Sequence, residues 1–142
     1  MDTRQAQPRP QSLKHATGPH PFAELIGLEI DGHSPDACDC SVLVKPELLN
    51  PHGVVHGAVL YALADTGMGG AIAPGLDEGQ LCATVEIKFN YYKAVQAGWI
   101  SCRSTVLNRG KRFANLESRL YVDDALVATA NGTFAIFTPT QG

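Results

Sequence analysis

The sequence predicts an α+β domain in which a curved antiparallel sheet wraps around one long central helix. Three observations carry this. Gly57 to about Ile72 is a single stretch of helical character, its slim apolar face built from Val59, Leu60 and Leu63 among Ala58, Ala62, Ala64 and Gly67. The segments on either side read as strands, several with the period-two alternation of a half-buried sheet. Most links between those strands are short, which favours antiparallel neighbours. A sheet with one helix must bury a face against it. At ~1.5 Å per residue the helix is about 24 Å long, so strands of up to a dozen residues can curl around it.

Taken in order, residues 1–20 are polar with three prolines and are read as a mobile N-terminal tail, leaving 21–142 as a single domain. Residues 21–27 predict a short helix or turn that packs Phe22, Leu25 and Ile26 on the core. Leu28 to Val44 reads as a hairpin broken near Ser34-Pro35-Asp36. In its second arm Cys38, Cys40, Val42 and Val44 alternate with Asp39, Ser41 and Lys45, which sets both cysteines on one face. Residues 46–56, with two prolines and a glycine, form an ordered loop. Pro74-Gly75 ends the long helix. Gly67, Gly69 and Gly70 each cost about 1 kcal/mol against alanine in a helix, so small residues there signal a close neighbour.

Four strands then follow. In the first, Leu81, Ala83, Val85, Ile87, Phe89 and Tyr91 form the apolar face, and Thr84, Glu86, Lys88 and Asn90 the polar one. A turn at Gln96-Ala97-Gly98 leads to Trp99–Leu107. Asn108-Arg109-Gly110-Lys111 reads as a hairpin turn, Phe113–Val122 as its return, Asp123-Asp124 as the next turn, and Leu126–Phe137 as the last strand. Sheet edges would remain, and a twin subunit is a common way to close one.

At 142 residues the chain fits one domain, and 44% hydrophobic with 18% charged residues is ordinary globular composition. No apolar run approaches the roughly 18–20 residues of a membrane helix. A net charge of −3 argues against a nucleic-acid partner. The N-terminus has no secretory apolar region, so a reducing cytoplasm is expected, with the four cysteines Cys38, Cys40, Cys82 and Cys102 as free thiols. The charge is unevenly spread: residues 81–122 carry +5 and the remainder −8. The basic region suits a small anionic ligand; it equally suits an edge guarded against aggregation.

The chemistry concentrates between Asn50 and Asp65. A helix start offers unpaired N–H donors and partial positive charge. Here the cap falls near His56 with Gly57 next, and a residue without a side chain lets a ligand oxygen approach its amide. Two readings stay open: a site for an anion or developing oxyanion, or a helix capped by His56 or Asn50 with Gly57 merely permitting tight packing. Asp65 sits inside the apolar stretch with no basic residue three or four positions away. It is either a solvated helix acid or a carboxylate that activates water or attacks a carbonyl. Gly57 and Asp65 are eight residues apart, about 12 Å along a helix. Reacting groups must come within about 3–3.5 Å, so if both act on one carbonyl, two antiparallel helices across a two-fold axis must bring them together. His52 and His56 have the i, i+4 spacing of a metal pair, but Pro51 and Gly53 argue against their sharing a helix, and no metal is expected.

The run N-P-x-G-x-x-H-G-A-x-x-x-A-L-A-D, Asn50 to Asp65, closely resembles the signature of hotdog-fold acyl-CoA thioesterases of the PaaI-like (phenylacetyl-CoA thioesterase) group. The resemblance extends from about Phe22 to Phe137 and takes in VEIKFNYYKAV, NRGKRF and VATANGTF. It departs at Ala58, where many members have a second glycine. The resemblance implies obligate homodimers, often paired into tetramers, that hydrolyse an acyl-CoA to free acid and CoA with no cofactor beyond the coenzyme A of the substrate. By position it implies that the Gly57 amide polarises the thioester carbonyl with help from Asn50, and that Asp65 of the partner chain is general base or nucleophile. It gives His56 the thioester or the leaving thiolate, and Thr84 the catalytic water. Arg109, Lys111 and Arg112 are candidates for the CoA phosphates, and Tyr61, Met68, Phe89, Tyr91 and Tyr92 for pocket walls. The acyl group stays open between aromatic and medium-chain types. A hotdog enoyl-thioester hydratase or dehydratase and a non-catalytic acyl-CoA-binding domain are the alternatives.

Overall fold

The computed structural model describes residues 20–140, so the expected N-terminal tail lies, but for His20, outside the described residues. A short helix α1 (Pro21–Ile26) leads into strands β1 (Leu28–Ser34) and β2 (Ala37–Leu43). The long helix α2 (Gly57–Ile72) follows, then β3 (Leu81–Tyr91), β4 (Trp99–Arg109), β5 (Phe113–Val122) and β6 (Ala125–Phe137). All pairings are antiparallel in the order β1-β2-β4-β5-β6-β3. Helix α2 touches all six strands, so the sheet curls around it as its alternation predicts.

The helix divides the core. Val59, Leu60 and Leu63 pack with Val42, Ile100, Leu120 and Val127 toward its N-terminal half. Ala64, Met68, Ala71 and Ile72 pack with Leu116, Ala130, Phe134 and Ile136 toward its C-terminal half. Cys38 and Cys40 share the inner face of β2 and are buried free thiols. Of the three glycines near the end of α2, Gly67, Gly69 and Gly70, two mark close approach. A Cβ on Gly67 would lie 2.5 Å from the Ser104 hydroxyl, and one on Gly70 2.7 Å from the Cys38 sulfur, while Gly69 faces open space. Beneath Gly67 the buried hydroxyls of Ser104 and Ser118 satisfy one another at 2.7 Å. Leu63, fully buried in the middle of α2, gives the sharpest stability test. Leu63→Ala is expected to cost about 3–4 kcal/mol in urea unfolding, or roughly 10 °C in melting temperature. A loss below about 1 kcal/mol would contradict the packing described.

Three expectations are corrected. Phe22 and Leu25 do not pack on the core: they are 52% and 75% exposed, while Ala23 is buried and Ile26 packs beside it. In one and a half turns of helix, residues 22 and 25 share one face and 23 and 26 the next, and only one face can meet the sheet. The link between β3 and β4 is not a hairpin, for β3 pairs with β6 and forms an edge of the sheet. Residues 92–98 instead run across the end of the barrel-like wrap. The Tyr92 and Lys93 amides bond to the Val127 carbonyl, the Val95 carbonyl accepts from the Val55 amide, and Val95 plugs the core. Finally, Thr84 lies on the helix-facing side of β3, not on the outer polar face. A bulge between Thr84 and Glu86 inserts Val85 and inverts the alternation. Cys82 and Thr84 therefore share the inner face with Ile87, Phe89 and Tyr91, and Val85 is exposed.

Candidate active site

The loop before α2 is built on Asn50. Its Oδ1 accepts from the amides of His52 (2.9 Å) and Val54 (3.3 Å), and its own amide donates to the Val54 carbonyl (2.7 Å). Gly53 supplies the left-handed residue this turn requires, with φ +79°. Since the Asn50 oxygen serves the loop, only its amide NH₂ could face a substrate oxygen. A bridge between Leu49 and Val55 closes the loop and delivers the chain to the helix start.

There, the capping reading of the sequence is seen directly. His56 is the N-cap, and its Nδ1 accepts from the Ala58 amide at 2.9 Å. That bond satisfies Ala58, one residue beyond Gly57. Gly57 lines a cleft of about 280 Å³ together with Val55, Leu60, Tyr91, Tyr92, Lys93, Ala94 and Val95. The helix start thus presents a side-chain-free residue at the wall of a mainly apolar cleft, where partial positive charge is least screened. His52 stays in the loop, so the two histidines do not share a helix. Among the described residues no group of three metal-ligating side chains exists.

Asp65 lies two turns further along α2, half-buried, and accepts a 2.6 Å hydrogen bond from the Thr84 hydroxyl on β3. The bulge at Val85 is what turns Thr84 inward to make it. Burial and the Asp65 charge both push the neighbouring Cys82 thiol up, so Cys82 is a protonated bystander. Since α2 is continuous from Gly57 to Ile72, Gly57 and Asp65 of one chain are about 12 Å apart along it. Thr84 lies on the edge strand and Asp65 is bonded to it, which places both where a second copy could reach them.

The basic residues divide. Arg109 is committed to the other end of α2: its guanidinium pairs with Asp36 at 2.9 Å and donates to the Ile72 carbonyl at 3.2 Å. It caps the helix C-terminus and does not join Lys111 and Arg112, which stay exposed in the following turn. This second bulge, between Val106 and Asn108, turns Arg109 inward and was not visible as a change of hydropathy. Of the candidate walls, Tyr91 and Tyr92 line the cleft. Phe89 stacks on Tyr91 at 4.4 Å, and Tyr61 meets Phe89 at 6.1 Å. Met68 is instead fully buried in the core. Lys93, a cation on the cleft wall, carries no sequence signal beyond its neighbours.

Comparison with known proteins places this geometry. A conserved protein of Pseudomonas aeruginosa has the same fold with a TM-score of 0.83 and 30% identity, covering 88% of this chain and all of that one. A mutant of the phenylacetic acid degradation protein PaaI from Thermus thermophilus aligns with a TM-score of 0.75 and 27% identity, covering 82% of this chain and 98% of that one. A proposed esterase of Pseudomonas aeruginosa is 34% identical over 86 residues, 60% of this chain and 64% of its own length. One from Haemophilus influenzae is 31% identical over 88 residues, 61% of this chain and 62% of its own. The chain therefore spans less than two thirds of the length of these two relatives. The curved six-stranded sheet around one helix is the hotdog fold. With residues 52–129, more than half of its length, matching the family model, the chain belongs to the thioesterase superfamily.

Proposed function

We propose that the protein is an acyl-CoA thioesterase that releases free acid and CoA, working as a homodimer, with dimers pairing further into tetramers. The observation that carries this is the glycine-headed start of α2 opening on an apolar cleft, with its partner carboxylate two turns away on the same rod. The Gly57 amide polarises the thioester carbonyl, where negative charge grows during attack, and a fixed N–H dipole receives it without reorganising. Asp65 of the partner subunit, oriented by Thr84, takes the proton from water as its oxygen adds to the carbonyl carbon. Alternatively, that carboxylate adds directly and water hydrolyses the resulting anhydride. As the tetrahedral centre collapses, the carbon–sulfur bond breaks. The CoA thiolate leaves beside His56 and takes a proton from solvent. A thiolate leaves readily, so the scheme asks for no strong general acid, metal or further cofactor. Lys111 and Arg112 meet the CoA phosphates. Aromatic and medium-chain acyl groups both suit a cleft walled by Tyr91, Tyr92, Leu60 and Val95.

The test is a thiol-release screen across aromatic and aliphatic acyl-CoAs. Saturable release of free CoA from one of these classes is the expected result. Hydration of an enoyl thioester without thiol release would replace the proposal with a hydratase. Saturable binding with no turnover of any ester would replace it with a binding domain.

A further inference from the structure

We propose that Tyr91 is a positioning residue that holds the carbonyl-facing corner of the cleft through its hydroxyl. The Tyr91 hydroxyl donates to the Gly57 carbonyl at 2.7 Å. That carbonyl belongs to the same peptide group as the Ala58 amide, which donates to His56 Nδ1 at 2.9 Å. A continuous relay results: Tyr91 hydroxyl, peptide 57–58, His56 ring. Each bond in such a chain polarises the next. A carbonyl has two lone pairs, so this acceptance does not compete with the helical ladder.

The relay has two consequences. His56 Nδ1 keeps its lone pair for the Ala58 amide, so in the neutral ring the proton resides on Nε2, the nitrogen turned away from the cap. His56 thereby keeps its Nε2–H free to donate. The second consequence is steric. A Cβ on residue 57 would lie 3.2 Å from both the ring carbon Cζ and the hydroxyl of Tyr91. The tyrosine packs directly on the glycine whose amide the reaction uses, and it lines the same cleft. Its ring stacks on Phe89, which in turn meets Tyr61, while about half of the residue stays exposed. Burial pushes the Tyr91 phenol above its ordinary value, so it remains a donor at neutral pH.

This inference rests on the reading of Gly57 and His56 as groups that face the thioester, and its test is chosen to separate the two. Tyr91→Phe keeps the ring, the stack and the wall and deletes only the hydroxyl. With the acyl-CoA the screen selects, kcat is expected to fall about tenfold, as for loss of one hydrogen bond of ~1.4 kcal/mol, with KM within about twofold and melting temperature nearly unchanged. Independently of activity, the ¹⁵N shifts of the His56 ring in the ligand-free protein report its tautomer. The wild type should show the Nε2–H form dominant, and Tyr91→Phe should keep that tautomer but move the Nδ1 shift toward that of an unbonded nitrogen, because the Ala58 bond is no longer polarised through the peptide. An unchanged His56 signal overturns the relay whether or not the enzyme hydrolyses any ester. So does an unaltered kcat, or a loss of activity explained wholly by a lower melting temperature. If no ester is hydrolysed yet the His56 signal shifts as expected, the relay stands and the thioesterase reading falls.

Discussion

Asp65→Asn is expected to lower kcat by about 10²–10⁴-fold, the range that loss of a general base produces, with KM little changed and folding stability within about 0.5 kcal/mol of wild type. The side chain is isosteric, and its remaining carbonyl oxygen can still accept from the Thr84 hydroxyl that now bonds the carboxylate at 2.6 Å. The substitution therefore removes proton-accepting and nucleophilic capacity while keeping the packing on β3. Thiol release under saturating acyl-CoA, with circular dichroism as the control for folding, reads the effect. Turnover within about threefold of wild type would remove Asp65 from the chemistry. A single turnover in heavy-oxygen water then separates the two roles of the carboxylate. Label in the Asp65 side chain marks attack by the carboxylate itself with hydrolysis at the Asp65 carbon of the anhydride, whereas label confined to the product acid with no anhydride trapped by hydroxylamine marks water activated by it.

Mixing two inactive variants is expected to restore activity. In the proposed arrangement each site takes Gly57 from one chain and Asp65 from the other, because about 12 Å of helix separates them within a chain. Gly57→Val fills the cleft wall against Tyr91, where even a Cβ would sit at 3.2 Å. It should be inactive alone, as should Asp65→Asn. In a mixed dimer one site combines the intact Gly57 of the Asp65→Asn chain with the intact Asp65 of the Gly57→Val chain. The other site carries both lesions. With random exchange of equal amounts, half the dimers are mixed and half their sites work, so about a quarter of wild-type activity should return. Sites confined to one chain would return none. Mixed dimers verified by differential tags and still inactive would refute the shared site.

The edge strand makes this test reasonable. Strand β3 is 11 residues long and, among the described residues, pairs on one side only, with β6. A long edge of that kind is a template for another strand. It also borders Asp65 through Thr84, so the surface that invites a second copy is the one that carries the carboxylate.

Much of this was legible in the residues alone, and the reason is local. The bounds of α2 followed from glycine after a histidine cap at one end and Pro74-Gly75 at the other, features that act within a turn. The alternation of β2 placed Cys38 and Cys40 on the core face, since side chains of a regular strand must alternate. The Asp123-Asp124 turn, with φ of 51° and 63°, needed only two residues tolerant of the left-handed region. The Asn50–Asp65 run stood out as the candidate site because its groups lie on one loop and one helix.

What only the tertiary structure decided depended on an inserted residue or on a distant partner. Bulges at Val85 and in β4 shifted the parity of their strands, and with it Thr84 turned toward Asp65 and Arg109 toward the end of α2. Nothing in the hydropathy marks a single extra residue, because its cost is settled by hydrogen bonds to the neighbouring strand. The pairing of β3 with β6 was likewise hidden, since a seven-residue link reads as a loose hairpin until Val95 is seen plugging the core. The relay from Tyr91 to His56 joins residues 34 positions apart at its first bond. Sequence specifies such a contact only through the curvature of the whole sheet, which is set by packing against α2.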